Sequence, residues 1–567
     1  MSKSLLSKMV GAVALVLVLA GPAFAEPWKF GVMSDTQWPT SPDGKNPNSV
    51  AVNVINHLNE EFIQHGVKFV VAVGDVTDNG STLALDTRAT FAQALYNAGI
   101  GFYPLRGNHE SNQAGAKEFQ RVFPQTQTGV NNQTPAGAFI TTSVYGVPPA
   151  VTTPTFTVGS NFVSLAGFEG LTYAFDYGNA RFVLYDQFTP PAGTPSHSAM
   201  TANDAAFIGA QVAARPAGGH AFVFGHKGFI TENHADTLFG NDPSANPALQ
   251  NTLMTSLTSA GVRYYMGGHD HVHNRANVVS PDGASTIQNI ILASDSYKFY
   301  IPANPSNDAK YNIASKGITN GPRETELAQE LFTVGYYIVT VDGPRVTVDY
   351  WASPNGCGPG GGAADCDETN DVIPYTFTKH ETFGYSLNGK EFLVPQNASY
   401  TVVSDSFQGS TAKILDGVNG SATADYVGRP LSHAVDTGWT PRACGTASAA
   451  LTLWGMSSMV PRLAANETDT YVLSMGYDRE NGHWKFGTGE FGIQARNATG
   501  DWVPAASLTA GESKFVVGPW KRGYELGTYG VDPASKTAWA VVDHQGEFRV
   551  ANFDDAVTRS VCALEQK

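Results

Sequence analysis

Asp35 and Gln37, Asp75, Asn108 and His109, His226, then His269 and His271 stand in five short segments, each closing a hydrophobic run. Carboxylates and amide carbonyls suit hard cations, and imidazole suits zinc, iron and manganese. Together these side chains supply enough oxygen and nitrogen donors for two ions side by side. Two ions roughly 3.5–4 Å apart can activate water and neutralise a developing anion, so the chemistry suggested is metal-assisted hydrolysis.

Elements distant in sequence must bring these residues together. From Pro27 to about Ser353 strand-like runs alternate with helix-like ones, the pattern of a layered α/β core. Trp28 to Ser34 reads as a short apolar strand, Val50 to His65 as a helix, Lys68 to Val73 as a buried strand, Thr82 to Ala98 as a helix and Gly101 to Leu105 as a strand. Asp35, Asp75 and Asn108 are 40 and 33 residues apart, about one strand-helix-strand repeat each. In open α/β sheets the carboxyl ends of neighbouring strands meet at one edge, where ligands bind. The grammar recurs in His220 to Phe224 before His226 and in Val262 to Met266 before Gly267 to His273. Residues 128–170, rich in Thr, Pro, Gly and Val, read as a loop or small β insertion over the site.

The ordered series Asp35-Thr36-Gln37, Gly74-Asp75-Val76-Thr77-Asp78, Gly107-Asn108-His109-Glu110, Gly225-His226 and Gly268-His269-Asp270-His271 resembles the calcineurin-like metallophosphoesterase family. Five motifs in order are specific where any one alone is weak. The resemblance implies an αββα sandwich of two mixed sheets over residues 26–353 and a binuclear metal centre (Mn, Fe or Zn) that hydrolyses a phosphomonoester, phosphodiester or nucleotide. It further implies that Asp75 bridges two ions, with Asp35, Gln37 and His271 completing one site and Asn108, His226 and His269 the other. His109 would protonate the leaving-group oxygen, with Asp78 orienting its imidazole and raising its pKa. Gln37 departs from the family, which has histidine there. An amide oxygen is a weaker, harder ligand, which shifts the expectation toward Mn²⁺ or toward weaker occupancy.

Composition bounds the remainder. At 567 residues the chain is too long for one ordinary core. With 42% hydrophobic and 15% charged residues it reads as globular. A formal net charge of −15 argues against coating nucleic acid, yet bound cations would reverse the sign locally for a phosphate-ester substrate. Residues 1–25 join Lys3 and Lys8 to an apolar run from Val10 to Ala20 and an Ala23-Phe24-Ala25 cleavage pattern, a signal peptide for export to the periplasm or beyond the cell. A membrane anchor is the alternative, but the run falls short of the roughly 20 apolar residues that span a bilayer. Export permits disulfides. Cys357 with Cys366 and Cys444 with Cys562 is the simplest pairing of three connectivities, and no Cys-x-x-Cys motif is present.

Residues 354–374 form a Gly-rich linker, and 375–567 read as a β-rich, sandwich-like accessory domain of short strands and Asn, Asp and Gly turns. Its Trp484, Trp502 and Trp520 would either face a glycan or surface ligand or fill its core. No catalytic constellation appears there. His57 and His65 on the first helix, and His197, His234 and His380 without motif context, read as satisfied or surface groups. His273 could substitute at the metal site or lie on the surface, as alternation on a strand allows. Trp38, Arg106, Lys227 and Arg275 adjoin the motifs and could shape a substrate pocket. Two readings follow: an exported phosphoesterase, or a binding protein on the same fold that has lost efficient turnover at Gln37. The completeness of the other slots favours the enzyme.

Overall fold

The computed structural model describes residues 26–38, 46–129, 155–194, 198–296, 298–300, 323–354, 375–394, 403–407, 409–417, 432–456, 467–478 and 484–565. Residues 1–25, expected from sequence to be a signal peptide, Cys357, Cys366, His197, most of residues 128–170 and nearly all of residues 354–374 lie outside these residues.

Among the described residues fourteen strands build the N-terminal region: β1 (Trp28–Met33), β2 (Phe69–Val73), β3 (Gly101–Leu105), β4 (Ser160–Ser164), β5 (Tyr173–Tyr177), β6 (Ala180–Tyr185), β7 (His220–Gly225), β8 (Tyr264–Gly267), β9 (His273–Val279), β10 (Thr286–Ile291), β11 (Glu324–Glu330), β12 (Thr333–Asp342), β13 (Arg345–Pro354) and β14 (Thr378–Ser386). They form a six-stranded sheet, order β14-β13-β12-β1-β2-β3, and an eight-stranded sheet, order β11-β9-β10-β8-β7-β6-β5-β4. Both are mixed: β1, β2 and β3 run parallel while β1 meets β12 antiparallel, and β6, β7, β8 and β10 run parallel beside the antiparallel β9.

Side-chain alternation explains the layering. On β2, Phe69, Val71 and Val73 point into the core shared by the two sheets, whereas Val70 and Ala72 lie under the helices Val52–His65 and Thr82–Asn97. On β6, Phe182 and Leu184 join the shared core, while Val183 and Tyr185 meet the helices Ala202–Ala213 and Pro247–Ser259 on the far side. A strand buried on both faces must read as a continuous apolar run, as β2 does. The shared core is aromatic: Phe30 stacks on Phe69 at 5.5 Å and Phe175 on Phe182 at 5.1 Å, with Phe30 edge-on to Phe182 at 5.0 Å. Each buried ring contributes about 1.5–3 kcal/mol. The result is an αββα sandwich.

Two features depart from the sequence reading. β14 begins beyond residue 375 yet pairs along β13 from Arg345↔Ser386 to Ala352↔Thr378, so the first sheet takes a strand that the sequence reading assigned to the accessory domain. Part of the 128–170 stretch is also built into the sandwich, because β4 pairs with β5 at the edge of the second sheet.

Among its described residues the C-terminal region is mostly β, with two six-stranded sheets in which every pairing but one is antiparallel. Residues of both sheets, among them Val435, Leu451, Leu473, Ala540 and Val550, share one core. Trp484 lies in that core, Trp502 has the guanidinium of Arg549 over its ring at 4.2 Å, and Trp520 packs on Trp539 and its neighbours. A closing helix, Asp555–Glu565, is joined to residue 444 by the Cys444–Cys562 disulfide. Among the described residues no helix is long and apolar enough to cross a membrane.

Candidate metal centre

The residues singled out from sequence sit at the carboxyl ends of β1, β2, β3, β7 and β8. Four of them, Asp35 (φ 55°), Asp75 (φ 45°), His269 (φ 76°) and His271 (φ 54°), hold left-handed backbone. That conformation costs an L-residue roughly 1–2 kcal/mol and persists where the surroundings over-determine it. The turns are so tight that glycine is required beside them. A Cβ on Gly107 would fall 2.0 Å from Asp75 Oδ1, and one on Gly268 2.4 Å from Asp35 Oδ2.

Two groups of donors result. Asp75, His226 and His269 offer ligand atoms within 4.8 Å of one another, and so do Asp35, Asp75 and His271, with Asp75 common to both. Asn108 joins the first, its Oδ1 lying 3.0 Å from His226 Nε2, and Asp75 Oδ2 is 3.3 Å from the same nitrogen. Gln37 joins the second: its Nε2 is 3.2 Å from Asp75 Oδ2 and 3.0 Å from His271 Nε2. Its Oε1 is buried and accepts no hydrogen bond within the described residues. A half-turn of the amide exchanges the two atoms and directs the oxygen between Asp75 and His271.

Neighbouring groups hold these donors in place. His226 Nδ1 donates to the Val73 carbonyl at 3.0 Å, and His271 Nδ1 lies 2.9 Å from the Lys298 carbonyl, which in each case leaves Nε2 facing the carboxylates. Asp35 accepts from the Ser34 hydroxyl at 2.6 Å and from the His269 backbone N–H. Burial lifts the Asp35 carboxyl to about 7, despite the opposing charge of His226. Burial also raises Asp75, but the charges of His226 and His109 outweigh it and hold that carboxyl well below the usual range. Burial depresses His269 to about 4 and His271 well below its ordinary value. Neutral imidazoles keep the lone pairs that coordinate cations. The charge and hydrogen bond of Asp75 outweigh burial at His226 and lift it to about 9, so a cation there would displace its proton. Carboxylate oxygens beside imidazole nitrogens, buried, clustered and with an amide oxygen in reserve, suit a pair of hard or borderline cations.

His109 belongs to neither group. Its Nδ1 donates to the backbone carbonyl of Asp78 at 2.6 Å, with the Asp78 carboxylate 3.2 Å away, and its Nε2 stands 3.8 Å from Asp75 Oδ2. Burial pulls this imidazole down, yet Asp78 and the charge of Asp75 outweigh it and lift the group to about 10. Its orientation thus comes from the main chain of Asp78 as well as from the side chain. Glu110, whose role the sequence left open, ties the β2 and β3 turns together: its carboxylate accepts from Thr77 N and Oγ1 at 2.7 Å each and from Gly107 N at 3.0 Å.

Most other candidates from sequence are committed elsewhere. Arg106 is fully buried in a two-pronged pair with Asp186, at 2.6 and 3.0 Å. Arg275 pairs with Glu381 at 2.5 Å, and Trp38 is buried. His273 is no surface group: it is fully buried between Tyr337 and Glu381, at 2.8 and 3.0 Å, and belongs to neither donor group. His57 and His65 lie on the first helix, His57 against the Asn53 carbonyl of its own helix and His65 against the Tyr336 hydroxyl of β12, and His380 pairs with Glu330. His234 was passed over for want of a motif, yet its ring stacks on His269 with centroids 4.0 Å apart and its Nδ1 lies 2.6 Å from Asp270 Oδ1. Lys227 and Asp236 form an ion pair in the same loop. Loop residues without period carry no local signal; only their closeness to His226 in sequence hinted at the site.

No curated protein matches the chain. Among solved structures it is similar to GAP50, the anchor in the inner membrane complex of Plasmodium (13% identity, TM-score 0.31, covering 62% of this chain and 88% of that one). It is also similar to a dimetal phosphatase from Danio rerio (13%, 0.32, 57% and 95%) and to PhoD (13%, 0.35, 64% and 70%). Residues 29–273 match the profile of the calcineurin-like phosphoesterases. This match and the five strand-end segments that fall within it make the N-terminal part of the chain a calcineurin-like phosphoesterase domain.

Proposed function

We propose that the protein is an exported, metal-dependent phosphoesterase acting on a phosphomonoester, phosphodiester or nucleotide. The observation that carries the reading is the pair of buried donor groups sharing Asp75, with His109 beside them and in neither. Asp75, with two anionic oxygens, would bridge two cations. Asp35, Gln37 and His271 would complete one site, and Asn108, His226 and His269 the other. Cations held there would lower the pKa of an attacking water and neutralise phosphoryl oxygens as charge develops.

The chain's own part is positioning and proton transfer. His109 is held protonated by Asp78 and Asp75 and is partly exposed, so it can give its Nε2 proton to the leaving-group oxygen. Asp78 keeps Nδ1 engaged, which leaves Nε2 as the reactive nitrogen. Export rests on the sequence of residues 1–25 and Mn, Fe or Zn on the donor chemistry.

The test is purified mature protein, stripped of metal and reloaded with Mn²⁺, Zn²⁺ or Fe, assayed against p-nitrophenyl phosphate and bis-p-nitrophenyl phosphate. Metal-dependent release of p-nitrophenol supports the reading, and the preferred ester separates mono- from diesterase. Two bound metals with no hydrolysis of either ester would sink it.

A further inference from the structure

The three histidines of the donor groups are oriented in two different ways. His226 and His271 each engage a backbone carbonyl through Nδ1 and present Nε2. His269 differs: its Nε2 faces the Asp236 carboxylate, with Oδ1 at 3.3 Å, which leaves Nδ1 as the nitrogen available to a cation. Asp236 comes from the loop that begins at His226, and its other oxygen is paired with the ammonium of Lys227, a buried group in the same loop.

That loop is fastened to the segment it serves. The fully buried Asp270 carboxylate accepts the backbone N–H groups of Glu232, Asn233 and His234, the last two at 3.1 Å, as well as the His234 ring. The His234 ring then covers His269 at 4.0 Å. Asp236 is therefore not a stray surface acid but the end of a braced loop turned back onto His269.

We propose that Asp236 is the positioning residue of His269, and that the chain Lys227–Asp236–His269 sets the affinity of one cation site and not the other. The proposal rests on the two-cation reading given above. A carboxylate that accepts the N–H of a ligating imidazole fixes its tautomer and ring angle and strengthens the other nitrogen as a donor; losing such a partner costs 10–100-fold in metal affinity. The Lys227 ammonium holds the carboxylate where it can do this. His226 relies on a main-chain carbonyl and His271 on one together with the Ser294 hydroxyl at 3.1 Å, so among the described residues Asp236 is the carboxylate through which a side chain tunes a ligating imidazole.

The experiment is calorimetric titration of metal-free protein with Mn²⁺, together with Mn²⁺ electron paramagnetic resonance. Wild type should take two ions per chain and show a spin-coupled pair. Asp236→Ala should weaken one ion 10–100-fold and leave the other within twofold, so that at limiting Mn²⁺ an isolated-ion spectrum replaces the coupled one. Asp236→Asn, which keeps an acceptor oxygen, should recover part of the loss, and Lys227→Met should lose less than Asp236→Ala. Thermal unfolding in chelator should be the same for all four proteins. Unchanged affinities in Asp236→Ala overturn the proposal while leaving the two-cation reading intact. Equal weakening of both ions, or a lowered unfolding temperature in chelator, overturns it by making the role merely structural. Failure of wild type to bind two ions overturns the underlying reading itself.

Discussion

The N-terminal sandwich and the C-terminal β region solve the same packing problem, two sheets closed over an apolar core, and among the described residues only the first gathers backbone strain at a cluster of candidate ligands. Ten non-glycine residues among those described have positive φ; nine fall in the N-terminal region and four of those are candidate ligands. The C-terminal region has one, Lys536, in the turn between two of its strands. The titratable groups differ in the same way. Asp405 in the C-terminal core is spoken for by Thr437, Trp439 and Lys390, and His544 by the Ala505 carbonyl. Asp35, Asp75, His226, His269 and His271 are instead buried against one another. Parallel strands make the difference: β1–β2–β3 and β6–β7–β8 point their carboxyl ends the same way, so successive turns converge, whereas antiparallel neighbours send theirs to opposite ends.

The sharpest way to break that contrast is Asp75→Ala, which removes the residue common to both donor groups. Both cations should be lost and hydrolysis should fall on the order of 10³-fold or more, since metal ions supply several kcal/mol of charge stabilisation. Metal analysis and p-nitrophenyl ester assays check it; retention of two tight ions would mean that Asp75 bridges nothing. His109→Ala comes next, with turnover down roughly 10²–10⁴-fold and metal content unchanged. Loss of metal along with activity would make His109 a ligand.

How much of this was legible follows from the kind of signal each residue leaves. Asp75 follows five apolar residues and precedes a helix, so its place at a strand end can be read from the chain itself. The same holds for Asn108 after β3 and His226 after β7. β14 could not be placed this way, because a strand's partner is set by non-local pairing, and a Gly-rich stretch before it reads as a boundary whichever sheet comes next. His234 and Asp236 were invisible for a related reason: they reach His269 only because Asp270 holds their loop.

The C-terminal region offers the complementary test. Cys444 and Cys562 close a separation of 118 residues, so replacing both with serine should destabilise that region by about 2–5 kcal/mol. Ester hydrolysis at low temperature should be unaffected, which denaturant unfolding and an activity assay on the same sample would show. A parallel fall in activity would make the two regions one cooperative unit, and contacts exist that could couple them: Arg263 pairs with Asp436 at 2.7 Å and Gln545 donates to the Thr382 carbonyl at 2.9 Å.

The smallest effect is expected at Gln37, and it tests whether the strand-end site is complete. The amide is fully buried between Asp75 and His271, where an oxygen can coordinate but donates less strongly than an imidazole nitrogen. Gln37→His should therefore tighten the ion held by Asp35, Asp75 and His271, by about tenfold for zinc and less for Mn²⁺, a change worth about 1.4 kcal/mol. Competition with a chelator measures it for each metal. Tightening confined to that ion places residue 37 among its ligands; identical affinities for both ions in variant and wild type would place it outside the shell, leaving that site with two carboxylates and one imidazole.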